Sequence, residues 1–262
     1  MSFKEKCMKT KHLLVKLAKK FPKRYATIYK DRVGLMAGKL PKEVHSILLC
    51  LDFDWQVFSL IKNERPDIII THHPFIYGPK SKVFKDDPSK EALFKEVEAK
   101  GLTIYTFHTN FDAGRGGMND TLSETLSLDN VYIPKGDAIM RIGELKEKMP
   151  IKEFANYAKE KLQADYGLLL PYGNLEIKKV GIIAGGGSRY WPIAKAEGCD
   201  IYISGDAPHH VRRDIVNANF NYLDLPHEIE NIFLTQMRKI LLEIDDKLEI
   251  TIIDHEKMPE LI

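Results

Sequence analysis

Short apolar runs that alternate with helical segments restrict the fold of this chain more than any other feature. Residues 44–51, 67–71 and 103–107 read as strands, the first with the continuous apolar character of a buried strand. Between them lie a helix over 55–63, with Asp54 placed to cap it, and a helix over 88–100, closed by Gly101. A lysine-rich amphipathic helix over 4–20 precedes them, and 31–38 is a glycine-punctuated loop or short strand. Strands alternating with helices imply parallel β-α-β units, because a parallel pair needs a crossover connection. After Leu128 a turn-rich junction over 132–137 leads to a short strand near 139–142, a helix over 151–163 and a strand over 166–170. Further strands follow at 179–184, 200–204 and 221–225, then a long helix from Pro226 and a final strand over 248–254. The pattern is that of an α/β protein, and 262 residues suffice for one large domain or two smaller ones.

Composition narrows the function. Lys and Arg (39) nearly balance Asp and Glu (37), so no overall charge draws the chain to nucleic acid or to a membrane surface. Cys7, Cys50 and Cys199 are far apart and odd in number, which excludes a disulfide framework and zinc-finger spacing and suits a reducing cytosol. No apolar run reaches the roughly 18 residues of a membrane span. The expectation is a cytoplasmic protein with no membrane partner and with nucleic acid disfavoured.

Six of the nine histidines fall in four segments, each following a predicted strand: His72 and His73, His108, His209 and His210, and His227. Three of the four segments carry acids nearby, namely Asp112, Asp206, and Glu228 or Glu230. In parallel sheets, ligands collect outside the carboxyl ends of the strands, so residues distant in sequence converge there. Imidazoles with carboxylates and no thiolates suit Zn, Fe, Mn or Ni better than Ca or Mg. The donor set exceeds what one tetrahedral ion needs and suits two divalent transition-metal ions, which by sharing a water make hydroxide available near neutral pH. Gly185-Gly186-Gly187-Ser188 lies between a strand and a helix, so it is either a phosphate cradle or a tight turn; it is neither a Walker A loop nor a dinucleotide fingerprint. His12, His45 and His255 read as surface or structural residues.

These residues resemble the NIF3-like dinuclear metal-centre family, whose members are often labelled GTP cyclohydrolase 1 type 2 homologues. The resemblance starts at Asp31-Arg32-Val33-Gly34-Leu35, where the family usually has Asn in place of Arg32, and includes the tandem His72-His73-Pro74. It is most specific at His108-Thr109-Asn110-Phe111-Asp112 followed by Gly117-Met118-Asn119-Asp120, and continues through Gly205-Asp206 with His210 and Leu225-Pro226-His227 with Glu230. It implies a two-lobed α/β fold with mixed, largely parallel sheets, a dinuclear metal site between the lobes, and a ring-shaped homohexamer. The lobes expected are residues 1–128 with 226–262, and 129–225. His72, His73, Asp112, His227 and Glu230 are the implied metal ligands, with Glu230 bridging, and His108 is a sixth ligand or an orienter. The three-residue step from His227 to Glu230 keeps both on one helical face. His210, held by Asp206, is the implied general acid/base. The function implied is hydrolysis of a nucleotide or phosphorylated small molecule; the alternative is a metal-binding scaffold or regulatory protein without turnover.

Overall fold

The computed structural model describes residues 8–61 and 65–259. Residues 4–7 and 62–63 of the two predicted helices, and Cys7, lie outside them. The chain divides into two compact units: the first ends at Arg115 and resumes over Phe233–His255, and the second comprises Gly116–Ile232 with the residues from Glu256. The crossings therefore differ from the expected 128/129 and 225/226. The helix over Met118–Thr125, which follows Arg115, packs on the second sheet and so falls in the second unit.

The first unit opens with β1 (Met8–Lys9), α1 (Thr10–Lys20) and α2 (Arg24–Ile28), followed by β2 (Gly34–Ala37), β3 (Glu43–Val44) and β4 (Ser46–Cys50). It continues with α3 (Trp55–Leu60), β5 (Ile68–Thr71), α4 (Lys80–Asp86), α5 (Pro88–Ala99), β6 (Ile104–Thr106) and α6 (Thr109–Ala113). The five-stranded sheet has the order β13-β4-β5-β6-β2, where β13 (Glu249–Ile252) comes from the end of the chain. Its pairings are parallel except β2 with β6. β5 is buried at every position, which explains its unbroken apolar sequence. Leu48, Cys50, Ile69 and Ile104 form one core with Val57 of α3 and Leu93, Phe94 and Val97 of α5. Asp54 caps α3 by accepting from the Val57 amide, as its sequence position predicts. Met8 and Lys9 depart from the predicted first helix, because they pair as β1 with β3.

The second unit contains α7 (Met118–Thr125), β7 (Asp129–Tyr132), β8 (Arg141–Pro150), α8 (Ile151–Lys161), β9 (Leu168–Pro171) and β10 (Glu176–Ile182). Then come α9 (Trp191–Ala196), β11 (Ile201–Ser204), α10 (His209–Asn217), β12 (Asn221–Asp224) and a 3-10 turn, His227–Asn231; α11 (Ile232–Ile244) returns the chain to the first unit. Its six strands run in the order β7-β8-β10-β11-β12-β9. Only β10–β11 and β11–β12 are parallel, so "largely parallel" holds for the first sheet and not for this one. The other three pairs, β7–β8, β8–β10 and β12–β9, are antiparallel. The buried guanidinium of Arg141 bonds to Asp120, and the Asn119 side-chain oxygen accepts from the Ala184 amide. The Gly117–Asp120 motif thus fastens α7 to β8 and to the end of β10.

Candidate metal centre

In the first unit, the carboxyl ends of β4, β5 and β6 lie side by side, because the three strands pair in parallel. β5 stops when the amides of His72 and His73 both donate to the Leu51 carbonyl, at 3.1 and 3.0 Å. That turn keeps the two side chains from diverging as they would on a continuing strand. His108 follows β6 and precedes α6. The ligand nitrogens of His72, His73 and His108 lie within 4.8 Å of one another. His72 is fully buried, between the rings of His108 and Phe233, and its Nε2 is 3.5 Å from Asp112. Asp112 stands one helical turn after His108, so α6 carries it to the same place.

Each of these three imidazoles is oriented through Nδ1. His72 Nδ1 donates to the Phe107 carbonyl at 3.0 Å, His73 Nδ1 to Asp52 at 2.5 Å and His108 Nδ1 to Asp31 at 2.7 Å. A carbonyl or carboxylate accepts only, so each Nδ1 carries a proton, and Nε2 is the ring atom that would meet a cation. Asp31 reaches His108 because β2 is antiparallel, which brings its leading residues beside the trailing end of β6. Burial raises the Asp31 pKa, but the hydrogen bond and charge of His108, with Thr109, outweigh it and hold the carboxyl below its ordinary value.

The second unit builds a smaller group by the same rule. β10, β11 and β12 end together and deliver Gly185, Asp206 and His227. His227 Nδ1 donates to Asp206 at 2.5 Å, and His227 Nε2 lies 3.1 Å from Glu230. Both belong to the 3-10 turn and not to the predicted α-helix; residues three apart eclipse in such a turn, so the spacing still juxtaposes them. Glu230 is buried, whereas Glu228 is only half-buried. Gly185, at φ +56°, has no room for a side chain: a Cβ there would overlap Glu230 Oε1 and come within 2.9 Å of His227 Nε2. Burial lowers the His227 pKa, yet Glu230 and Asp206 outweigh it and push it up to about 10. Carboxylates that hold a proton this firmly favour a divalent cation for the same electrostatic reason, and the cation must displace that proton.

These observations fit metal ions. Three imidazoles gather with Asp112, His227 stands beside Glu230, and the close approach at Gly185 is packed around that second pair. His72, His73, His108 and Asp112 are gathered in the first unit, and His227 and Glu230 in the second. Asp206 serves His227, whereas the sequence spacing paired it with His210; α10 begins only at His209, and Asp206 sits before it at φ +56°, so no helical face joins the two. His210 is exposed. Asp31, which the sequence offered only as the start of a motif, and Asp52 are the orienting acids. The glycine loop is also used internally: the Gly185 carbonyl accepts from the amides of Gly187 and Gly205 at 2.8 and 2.7 Å.

Two α/β units with imidazole–carboxylate groups at the carboxyl ends of their parallel strands define a candidate binder of two divalent transition-metal ions. The chain belongs to the Duf34/NIF3 (NGG1p interacting factor 3) family, whose model matches residues 8–259. It is 32% identical over 203 residues to the GTP cyclohydrolase 1 type 2 homolog of Clostridium perfringens, covering 75% of this chain and 77% of that one. It is 31% identical over 235 residues to the homolog of the same name from Lactococcus lactis, covering 87% and 89%. Among solved structures, the Bacillus cereus protein related to NIF3 aligns with a TM-score of 0.86 at 20% identity, over 98% of this chain and all of that one. Reduced HcgD from Methanocaldococcus jannaschii aligns with a TM-score of 0.80 at 25% identity, over 95% and 98%. Among the described residues, no helix is long and apolar enough to cross a membrane.

Proposed function

We propose that this chain is a metal-dependent hydrolase acting on a nucleotide or phosphorylated small molecule, with two divalent ions per chain. The observation that carries the reading is the gathering of His72, His73 and His108 with Asp112, and of His227 with Glu230, each imidazole held through Nδ1 by an acceptor. Tethering through Nδ1 fixes each ring so that its other nitrogen can turn to a cation, the way metal-ligating histidines are commonly held. The name of the curated relatives, GTP cyclohydrolase 1 type 2 homolog, supports a nucleotide as the first substrate to try. Bound ions supply Lewis acidity toward water and substrate oxygen. The chain's own residues then have separate tasks. Asp31, Asp52 and Asp206 fix the imidazoles; Asp112 and Glu230 add negative charge beside them; His210, exposed on the first turn of α10, serves as the proton-transfer group. The reading extends to a cytoplasmic homohexamer.

The test is a screen of protein loaded separately with Mn, Fe, Ni or Zn against GTP, other nucleotides and simple phosphoesters, beside His73→Ala. Turnover that disappears together with bound metal in His73→Ala is expected. No turnover with any metal at saturation would leave a metal-binding scaffold without turnover. Turnover indifferent to the substitution would place the chemistry elsewhere.

A further inference from the structure

The second unit also holds a cavity of about 310 Å³ lined by none of the candidate ligands. One wall is α8, which presents Lys152, Ala155, Asn156 and Lys159. These are the i, i+3, i+4 and i+7 positions of one helical face, while Ile151, Phe154 and Ala158 are buried. The floor is Leu169 of β9 and Leu223 of β12, which are direct cross-strand partners and so emerge on the same side of the sheet. α8 packs on β8 and β10, and the β12–β9 end of the sheet beside it forms the trough.

The chemistry of the lining is specific in type. Lys152 is exposed and Lys159 half-buried, and neither forms a salt bridge with a described residue. They stand two turns apart, about 10 Å along the helix, with the Asn156 amide between them. Two cations and an amide therefore edge an apolar floor, and the volume falls at the small end of the roughly 300–1,000 Å³ range of ligand pockets. We propose that this groove binds a small organic anion. Its apolar body lies on Leu169, Leu223 and Ala155, and its carboxylate or phosphate is held by Lys152 and Lys159 with the Asn156 amide donating. An uncharged apolar molecule leaves the lysines unmatched, and an inorganic anion leaves the leucines bare. The proposal does not depend on the metal-centred reading.

The test is calorimetric titration of the full metal-loaded chain with hexanoate, hexyl phosphate, hexanol and inorganic phosphate, repeated with Lys152→Gln/Lys159→Gln. Both substitutions lie on a solvent-facing helical surface, and thermal unfolding checks that the fold is kept. Hexanoate or hexyl phosphate, whichever head group the lysines prefer, binds to the parent chain. It binds at least about ten-fold more weakly to the double variant, and more weakly as salt is raised. Hexanol and inorganic phosphate each bind at least about ten-fold more weakly than the preferred anion. The proposal is overturned if neither organic anion binds, if hexanol or inorganic phosphate binds as well, or if the folded double variant binds unchanged. Leu169→Asp provides a second check, since a negative charge on the floor repels the anion and leaves both lysines in place; unchanged binding there also overturns it.

Discussion

Gly185→Ala separates the positioning of metal donors from the stability of the fold. The added methyl has two effects. The first is conformational: at φ +56° an L-residue costs about 1–2 kcal/mol relative to glycine. Gly198→Ala carries the same cost in the same unit, since Gly198 sits at φ +73° and a Cβ there meets nothing within 4 Å. The second effect belongs to Gly185 alone. Its Cβ would overlap Glu230 Oε1 and lie 2.9 Å from both Glu230 Cδ and His227 Nε2. The end of the Glu230 side chain can turn aside, so the fold survives, but Glu230 is only 4% exposed and has little room in which to do so. Metal–ligand distances tolerate about 0.2 Å, and clearing the methyl requires a larger shift. Both variants should therefore melt a few degrees below the parent in metal-free form, by about 2–4 °C per kcal/mol. Only Gly185→Ala should lose affinity at the His227–Glu230 pair, by about 100-fold or more, the upper range for disturbing even an orienting partner. Cobalt titration followed by visible absorption, with elemental analysis after dialysis, measures the difference. Equal metal binding by the two folded variants would refute the assignment of His227 and Glu230 as ligands.

The orienting acids give a second prediction: Asp31→Asn and Asp52→Asn should each weaken metal binding by about 10–100-fold without unfolding the chain, as measured by competition with a chelating dye. Asp206→Asn should likewise weaken metal binding, whereas His210→Ala should retain it and lower turnover by roughly 10²–10⁴-fold once a substrate is in hand; metal loss in His210→Ala would make that residue a ligand. Burial pushes the Asp224 pKa up to about 6, against the lowering effects of the Ala207 amide and Arg212. The native state then holds a proton that the unfolded chain releases near pH 4, so this contribution to stability is complete below pH 4 and is lost as pH rises through 6. Asp224→Asn should consequently stabilise the metal-free protein by about 1–3 kcal/mol at pH 8 relative to pH 4.5; urea unfolding at the two pH values checks this, and a pH-independent difference would contradict it.

The histidines gathered at the candidate centre stand out in the sequence because each follows the end of a strand within three residues. An apolar run such as Ile68-Ile69-Ile70-Thr71 announces the strand, and the parallel-sheet rule places the residues at its carboxyl end. The orienting acids were not legible in the same way: Asp31 is 77 residues from His108, and Asp52 is 21 from His73. Only strand order, with β2 antiparallel at the sheet edge, makes the first pair neighbours. The pairing of Asp206 with His210 fails for a related reason. Four-residue spacing has geometric meaning inside a helix, and Asp206 lies in a left-handed turn ahead of one. Short elements with no apolar signature also escaped: β7 is exposed at all four positions, and α4 buries no residue.

A histidine at a strand end has its position set by its own strand and its orientation set by another. His72 takes its orientation from the Phe107 carbonyl beyond β6, His73 from Asp52 beyond β4, and His227 from Asp206 beyond β11. Adjacent parallel strands can do this reciprocally, because their carboxyl ends emerge about 4.8 Å apart and pass their next residues into the same space. The approach is close enough to restrict the backbone as well. A Cβ at Gly205 would lie 2.8 Å from the Leu225 carbonyl, and the next residue, Asp206, adopts φ +56° to turn its carboxylate onto His227. Orientation of the donors is thus a property of the paired sheet and not of any one segment. A peptide carrying His72-His73-Pro74 or His227 to Glu230 alone has the ligand atoms without the acceptors that fix their tautomer. Cation affinity in this chain therefore depends on the folded sheet order, and a bound cation in turn favours that fold over the unfolded chain.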